Sequence, residues 1–385
     1  MTVRVFVCLA FSLIMNQLNA LAETSGKKAS TYLLYVGAYT ENENEGIYVY
    51  RFDASDGDLD YLTTAKGIKN PSYLAIDEKR KLLFAVNETG EYLGKKTGSV
   101  TSFGINLSDG SLNKISQVSS GGGAPCYISI NASAKLALVA NYSGGNISVF
   151  PVTSDGTLME FTDLKQHEGK GLIGNRQNVP HAHSVVLSPK EDYALAADLG
   201  IDKLISYKVD PKKGMLAEQS RFALKPGSGP RHISIHPNKK LVFVINELNS
   251  TVTSCGYDPS AGVLNEIETV TTLPGDFSGE NYCADIHVSQ DGQFLYGSNR
   301  GHNSIVIYRI DRKSGKLSLV GHESVKGAWP RNFMMDPTGK FLLVANQHSN
   351  NIVVFKVNRE TGLLKSNGVD VEVSKPVCLK MIPVQ

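Results

Sequence analysis

The chain has 385 residues, 39 of them basic and 37 acidic, for a formal net charge of +2. It carries no basic run and no acidic tail, which argues against a nucleic-acid partner, and its 41% hydrophobic content is ordinary for a soluble globular protein. Length alone would allow two or three domains, but a repeat of about 50 residues overrides that expectation.

Residues 1–22 stand apart. Arg4 precedes an apolar stretch from Val5 to Met15, a polar patch with Asn16, Gln17 and Asn19 follows, and Ala20-Leu21-Ala22 closes the segment. A charged start, an apolar core too short to span a bilayer comfortably and small residues at the end predict a signal peptide cut after Ala22. Export follows from it, to the periplasm or outside the cell, with no stable membrane anchor. Cys8 would leave with the peptide. Residues 23–30 form a short extension, and 31–385 carry the repeat.

Tyr32–Gly37 and Gly46–Phe52 read as strands, rich in β-branched and aromatic residues, and a more polar strand follows Gly57. From there the pattern recurs. Its plainest copies are Pro230–Asn246 and Pro330–Asn346: a strand, a short turn, then a second apolar strand ending in Asn. A third strand comes next (Thr251–Tyr257, Asn351–Val357), then a turn and a polar fourth strand. Four strands at this period predict the blade of a β-propeller. The start of each first strand gives an anchor: Ser72, Cys126, His183, Arg231, Ala284 and Arg331, spaced 47 to 57 residues apart. A seventh, Val377, opens the last segment. The first copy lacks its innermost strand and the last is nothing but that strand. Val377–Pro383 is therefore expected to complete the N-terminal blade, closing one all-β ring of seven four-stranded antiparallel blades with no free sheet edge. Asp-Gly or Thr-Gly pairs mark the turns, as at Asp109-Gly110 and Thr361-Gly362.

Segment 165–179, with Gly169, Gly171, Gly174 and Asn175, is an insertion expected to loop over the same mouth as the anchors. Gly121–Gly123 is expected to be a flexible linker between blades, since no helix follows to make it an anion site. Cys126, Cys255, Cys283 and Cys378 are irregularly spaced, give no zinc pattern and read as buried thiols.

Adjacent strands in a blade run antiparallel, so the start of the first strand and the end of the second share one face. The residues after the recurrent Asn then form a second ring: Tyr39 (approximately), Glu88, Tyr142, Leu199, Glu247, Arg300 and Gln347. Charge concentrates on consecutive blades, at His183, Arg231 with Glu247, Arg300 and Arg331. Three guanidiniums suit a carboxylate, a phosphate or a developing oxyanion, and Glu247 or His183 can move a proton. Arg331, Glu88, Tyr142 and Gln347 are expected to contact the substrate, Tyr142 by stacking. The competing explanation is a set of structural ion pairs. It predicts unfolding when Arg231 is lost, whereas a ligand site predicts lost binding with stability kept. Strand alternation points His232 and Asp285 away from the neighbouring anchors. The recurrent Asn residues are expected to form turns or to link blades through backbone hydrogen bonds.

In these residues the chain resembles the lactonase family of seven-bladed propellers, which includes a bacterial type of 6-phosphogluconolactonase and the fungal carboxymuconate lactonizing enzyme. The likeness covers roughly residues 31–383 and is most specific at Gly229–Pro237, Asn246–Ser250, Ala284–Val288 and Pro330–Phe333. It implies an active-site set of one His, one Glu and Arg residues at the axial mouth, which falls on His183, Glu247, Arg231 and Arg300, with Arg331 as a further anion contact. The function expected is hydrolysis of a small sugar-like or anionic lactone. Arg231 and Arg300 would stabilise the oxyanion, Glu247 would be the general base and His183 its assistant or the acid. No cofactor and no metal is expected, and a monomer is the default. A calcium-dependent site built on Glu88, Glu247 and the Asn set would place a divalent cation among three arginines, which repel it. Two alternatives are a muconate-type lactonizing isomerase and a non-catalytic exported propeller that binds a ligand or a protein.

Overall fold

The computed structural model describes residues 30–384, position 134 apart. The signal peptide expected over residues 1–22 lies outside the described residues. Among the described residues twenty-eight strands form seven four-stranded antiparallel sheets, with one short 3-10 turn at Leu199–Ile201. Each sheet is one blade. The strand Pro376–Pro383 pairs with Thr31–Ala38, in register from Tyr32 opposite Pro383 to Gly37 opposite Cys378. The C-terminal strand therefore supplies the innermost strand of the N-terminal blade and closes the ring. Phe52 of this blade meets Phe341 of the neighbouring blade edge-on at 5.8 Å.

The second strand of each blade is clamped between neighbouring blades. Leu82–Asn87, Leu136–Asn141, Leu241–Asn246 and Phe341–Asn346 are buried at every position. This is why they are written as continuous apolar runs rather than alternating ones. Fourth strands such as Leu112–Ser119 form the rim and are partly exposed throughout.

Four of the five recurrent Asn residues link blades; the fifth, Asn246, donates instead to Thr251 and Thr253 of its own blade. The side-chain amides of Asn87, Asn141, Asn299 and Asn346 donate to the carbonyls of Lys69, Ser120, Thr272 and Val325, each on the segment that crosses from the preceding blade. Gly362 turns with φ 79°, and a Cβ there would lie 2.3 Å from the Phe294 ring, so the neighbouring blade has no room for a side chain. Gly121–Gly123 does connect two blades, but it is packed rather than slack. A Cβ on Gly122 would meet the Asn141 Cβ at 2.7 Å. The insertion is a loop only from residue 167 onwards, because Asp163–Gln166 forms the short fourth strand of its blade. Cys126, Cys255, Cys283 and Cys378 are all buried and unpaired.

Candidate active site

Six of the seven anchors sit at a register shift between the first and second strands of their blades. The shifts fall at Ala182/Ser184, Pro230/His232 and Pro330/Asn332, for example, leaving His183, Arg231 and Arg331 as the extra residue. A bulge of this kind re-aims a side chain and bends the strand. Five anchors also follow a proline preceded by a residue in the left-handed region: Asn70, Ala124, Gly229, Trp329 and Lys375. Left-handed φ at a tryptophan is uncommon. Here the Asn303 side chain accepts the Trp329 amide at 2.8 Å, which helps to hold the turn.

The bulges also break the alternation on which one expectation rested. His232 and Asp285 do not turn away from the anchors. The Nε2 atom of His232 lies 3.2 Å from Arg231 Nη1, and its ring centroid is 5.4 Å from that of His183. Its Nδ1 is 2.8 Å from Asp285 Oδ1. The tautomer that satisfies both contacts carries its proton on Nδ1, donates to Asp285 and accepts from Arg231. Asp285 also holds His287 at 2.9 Å.

The mouth above this floor is a concave cavity of about 350 Å³. Glu88, Tyr142, His183, Glu247, Arg300, Arg331 and Gln347 line it, together with Cys126, Arg176, Tyr282 and Trp329. Arg231 was expected in this ring but lies just beneath it, 2% exposed. Its Nε donates to Glu247 Oε2 at 3.0 Å and its Nη1 to the Ala284 carbonyl at 2.7 Å.

Glu247 is the hub. Arg300 Nη2 donates to the same Oε2 at 2.7 Å, while Arg176 reaches Oε1. Burial pushes this carboxyl up, but the guanidiniums of Arg300, Arg231 and Arg176 outweigh it and hold it at about 2. Glu247 is therefore ionised at any neutral pH. Burial, with Arg231, His232 and Arg331 close by, pushes His183 well below its ordinary value, so that imidazole is neutral. The Cys126 sulfur lies 3.7 Å from His183 Nδ1. Burial raises its thiol, which stays protonated and donates to the His183 carbonyl at 3.4 Å.

On the other side of the mouth Tyr39 donates to Glu88 (2.9 Å) and accepts from Arg331 Nη2 (2.7 Å). Among the described residues Arg300 donates through Nε and Nη2 and Arg331 through Nη2, which leaves Arg331 Nε and Nη1 and Arg300 Nη1 without a hydrogen bond to the protein. Gln347 Oε1 is buried and also without one. His181 stacks on Tyr142 at 4.3 Å and holds the Tyr142 carbonyl at 3.0 Å. Trp329 lies under Arg300, with the guanidinium carbon 5.4 Å from the ring centroid.

The two imidazoles make stability depend on pH. Burial and Arg231 lower His232 from 6.5 to about 4. A group depressed in the folded state contributes fully above its unfolded pKa. That contribution is lost as pH falls from 6.5 through 4, on the order of 3 kcal/mol for a shift of this size. Urea midpoints measured across this window are expected to fall with pH, and His232→Gln is expected to flatten the fall. An unchanged slope in that variant would contradict a neutral buried His232.

Residues 33–381 match the family described as lactonase, 7-bladed β-propeller. The chain belongs to this lactonase family. It is 38% identical over 307 residues to a 6-phosphogluconolactonase of Bacillus subtilis, a match covering 80% of this chain and 86% of that one. It is 36% identical over 312 residues to a 6-phosphogluconolactonase of Formosa agariphila, covering 79% and 86%. Among solved structures, the periplasmic gluconolactonase of Pseudomonas aeruginosa superposes with a TM-score of 0.86 at 36% identity, covering 92% of this chain and all of that one.

The residues that sequence reasoning missed in this lactonase-family site are Arg176 and Tyr282. The repeat projection selects axial positions, and Arg176 comes from the insertion, where only its place over the mouth was legible. Tyr282 begins its strand two residues before the anchor Ala284, at a step the projection skipped.

Proposed function

We propose that this protein is a lactone hydrolase, acting on an anionic sugar-type lactone at the axial mouth. The observation that carries the reading is the buried carboxylate of Glu247 among three guanidiniums beside a neutral imidazole. The cavity wall carries three guanidiniums (Arg176, Arg300, Arg331) against two carboxylates (Glu88, Glu247), and beneath it Arg231 is matched by Asp285, an excess of one positive charge. Charge of that sign suits an anionic substrate, and the names of the relatives agree with a lactone.

Water attacks the lactone carbonyl, forming a C–O bond while the carbonyl oxygen takes up negative charge. The unpartnered Nη1 of Arg300 and the free N–H groups of Arg331 are the donors available to that oxygen or to the substrate anion. Arg231, which the sequence placed among these donors, is not one of them; from beneath the floor it fixes Glu247 instead. Oε2 of Glu247 is committed to two buried arginines, so Oε1 is the oxygen that takes the water proton. The ring C–O bond then breaks. The proton returns to the departing ring oxygen by way of His183; burial and the neighbouring cations disfavour its imidazolium, so it carries the proton only in passing and gives it up readily.

A lactone panel on protein lacking residues 1–22 tests the reading. Turnover of gluconolactone, of its 6-phosphorylated form, or of both, above the uncatalysed rate is expected. Conversion of a muconate lactone without uptake of water would establish the isomerase instead, and binding without turnover of any lactone the non-catalytic alternative. Export is part of the proposal: it rests on the expected signal peptide and on the periplasmic location named for the Pseudomonas aeruginosa structure.

A further inference from the structure

The insertion is a built platform rather than a slack loop. Gln177 is fully buried, and its Nε2 donates to the Leu199 carbonyl and to Asp202 Oδ1, both at 2.7 Å. Its Oε1 accepts the Ile173 amide at 3.0 Å, and its carbonyl accepts the Gly171 amide at 2.8 Å. A Cβ on Gly171 would stand 2.5 Å from the Gln177 side chain, so the turn is written for glycine. Arg176, next in sequence to this plug, starts from a fixed point and reaches over the mouth.

Arg176 differs from the other two arginines on Glu247. Its side chain is 30% exposed, against 2% for Arg231 and 5% for Arg300. It alone takes Oε1; the buried pair share Oε2. It also lies over the Tyr282 ring, 5.5 Å from the centroid, at the solvent side of the cavity. Breaking its contact leaves Glu247 still paired twice, and leaves the guanidinium in reach of water or of an incoming anion.

We infer that Arg176 is a specificity-determining residue that exchanges Glu247 for the anionic group of the substrate, and by leaving Oε1 uncovers the acceptor for the attacking water. The inference rests on the proposed lactonase reading. An anion compensates Arg176 for the carboxylate it gives up, whereas a neutral lactone offers no such partner. Substrate charge is thereby coupled to the availability of the base. The cost of the exchange is small, because one charge-assisted hydrogen bond replaces another.

The test compares wild type, Arg176→Gln and Arg176→Lys on glucono-δ-lactone and 6-phosphogluconolactone, with calorimetric binding of gluconate and 6-phosphogluconate. In Arg176→Gln the ratio of kcat/KM for the phosphorylated over the neutral lactone is expected to fall about 10- to 100-fold, the worth of one charged hydrogen bond. Affinity for 6-phosphogluconate is expected to fall with it. Arg176→Lys is expected to recover part of both, because the charge returns without the fork. An equal loss on both lactones, or unchanged affinity for 6-phosphogluconate, would overturn the inference. If wild type turns over neither lactone, the lactonase reading fails and calorimetry alone decides Arg176. A wild type that binds neither acid overturns both.

Discussion

Glu247→Gln is expected to lose turnover by about 10²–10⁴-fold, the usual worth of a positioned general base, and to destabilise the fold. The amide keeps the shape of the carboxylate and loses its charge. Arg231 and Arg300, both buried, are then left facing each other and Arg176 without a counter-charge. Removing one partner of a buried ion pair costs about 3–5 kcal/mol. Partial exposure of Arg176 lets that side chain swing out to water and places the expectation at the lower end. Urea unfolding and steady-state kinetics on the same preparation check both. Wild-type turnover in a stably folded variant would remove Glu247 from the chemistry.

The second large effect is on ligand binding alone. Arg331→Met is expected to weaken binding of an anionic lactone or its product acid about 10- to 100-fold, one charged hydrogen bond's worth, with stability unchanged or raised. Its one hydrogen bond among the described residues goes to the Tyr39 hydroxyl, which still donates to Glu88 when Arg331 is gone. After burial itself, repulsion from Arg331 is the largest influence lowering the Arg231 guanidinium, and it contributes to the lowering of His183 and Arg300. Removing the one excess positive charge relieves all three groups, and this offsets the lost attraction of Arg331 to Glu88 and Glu247. A melting temperature lowered by several degrees, with affinity kept, would mean that Arg331 serves the fold instead.

Arg231 cannot serve as that test, although the sequence made it the natural choice. It donates to Glu247, to the Ala284 carbonyl and to His232. Its loss leaves buried acceptors unmade, at roughly 1–3 kcal/mol each, so Arg231→Met destabilises the protein whatever it does to binding. The two readings that seemed opposed, ligand site and ion-pair network, share one set of residues divided by depth. The buried arginines fix the carboxylate, and the arginines at the mouth face the ligand.

The ring architecture was legible because each blade repeats a strand pattern with a fixed period, and antiparallel pairing then dictates which ends share a face. That projection brought His183, Glu247, Arg300, Arg331, Glu88, Tyr142 and Gln347 to one cavity. It failed where the backbone departs from the ideal ladder. A bulge gives the anchor and its successor a common direction, so His232 and Asp285 stand beneath the site, and alternation had hidden them. Depth was equally illegible: nothing in the residue type separates Arg231 under the floor from Arg331 in the wall. Arg176 escaped because it sits outside the repeat. The sequence showed a glycine-rich insertion over the mouth, but which of its charged residues points inward depends on Gln177 plugging into Leu199 and Asp202.

Hydrolysis at this mouth places an oxygen from water in the product, which ¹⁸O-labelled water reveals. Protein lacking residues 1–22 is incubated with glucono-δ-lactone and with 6-phosphogluconolactone in labelled water, beside Glu247→Gln and a protein-free control, and the products are weighed by mass spectrometry. Ring-opened acid carrying one ¹⁸O in its carboxylate is expected, formed faster than in the control, with that excess rate cut about 10²–10⁴-fold in Glu247→Gln. Formation of acid at the control rate from both lactones, or a product without label, would contradict hydrolysis at this mouth.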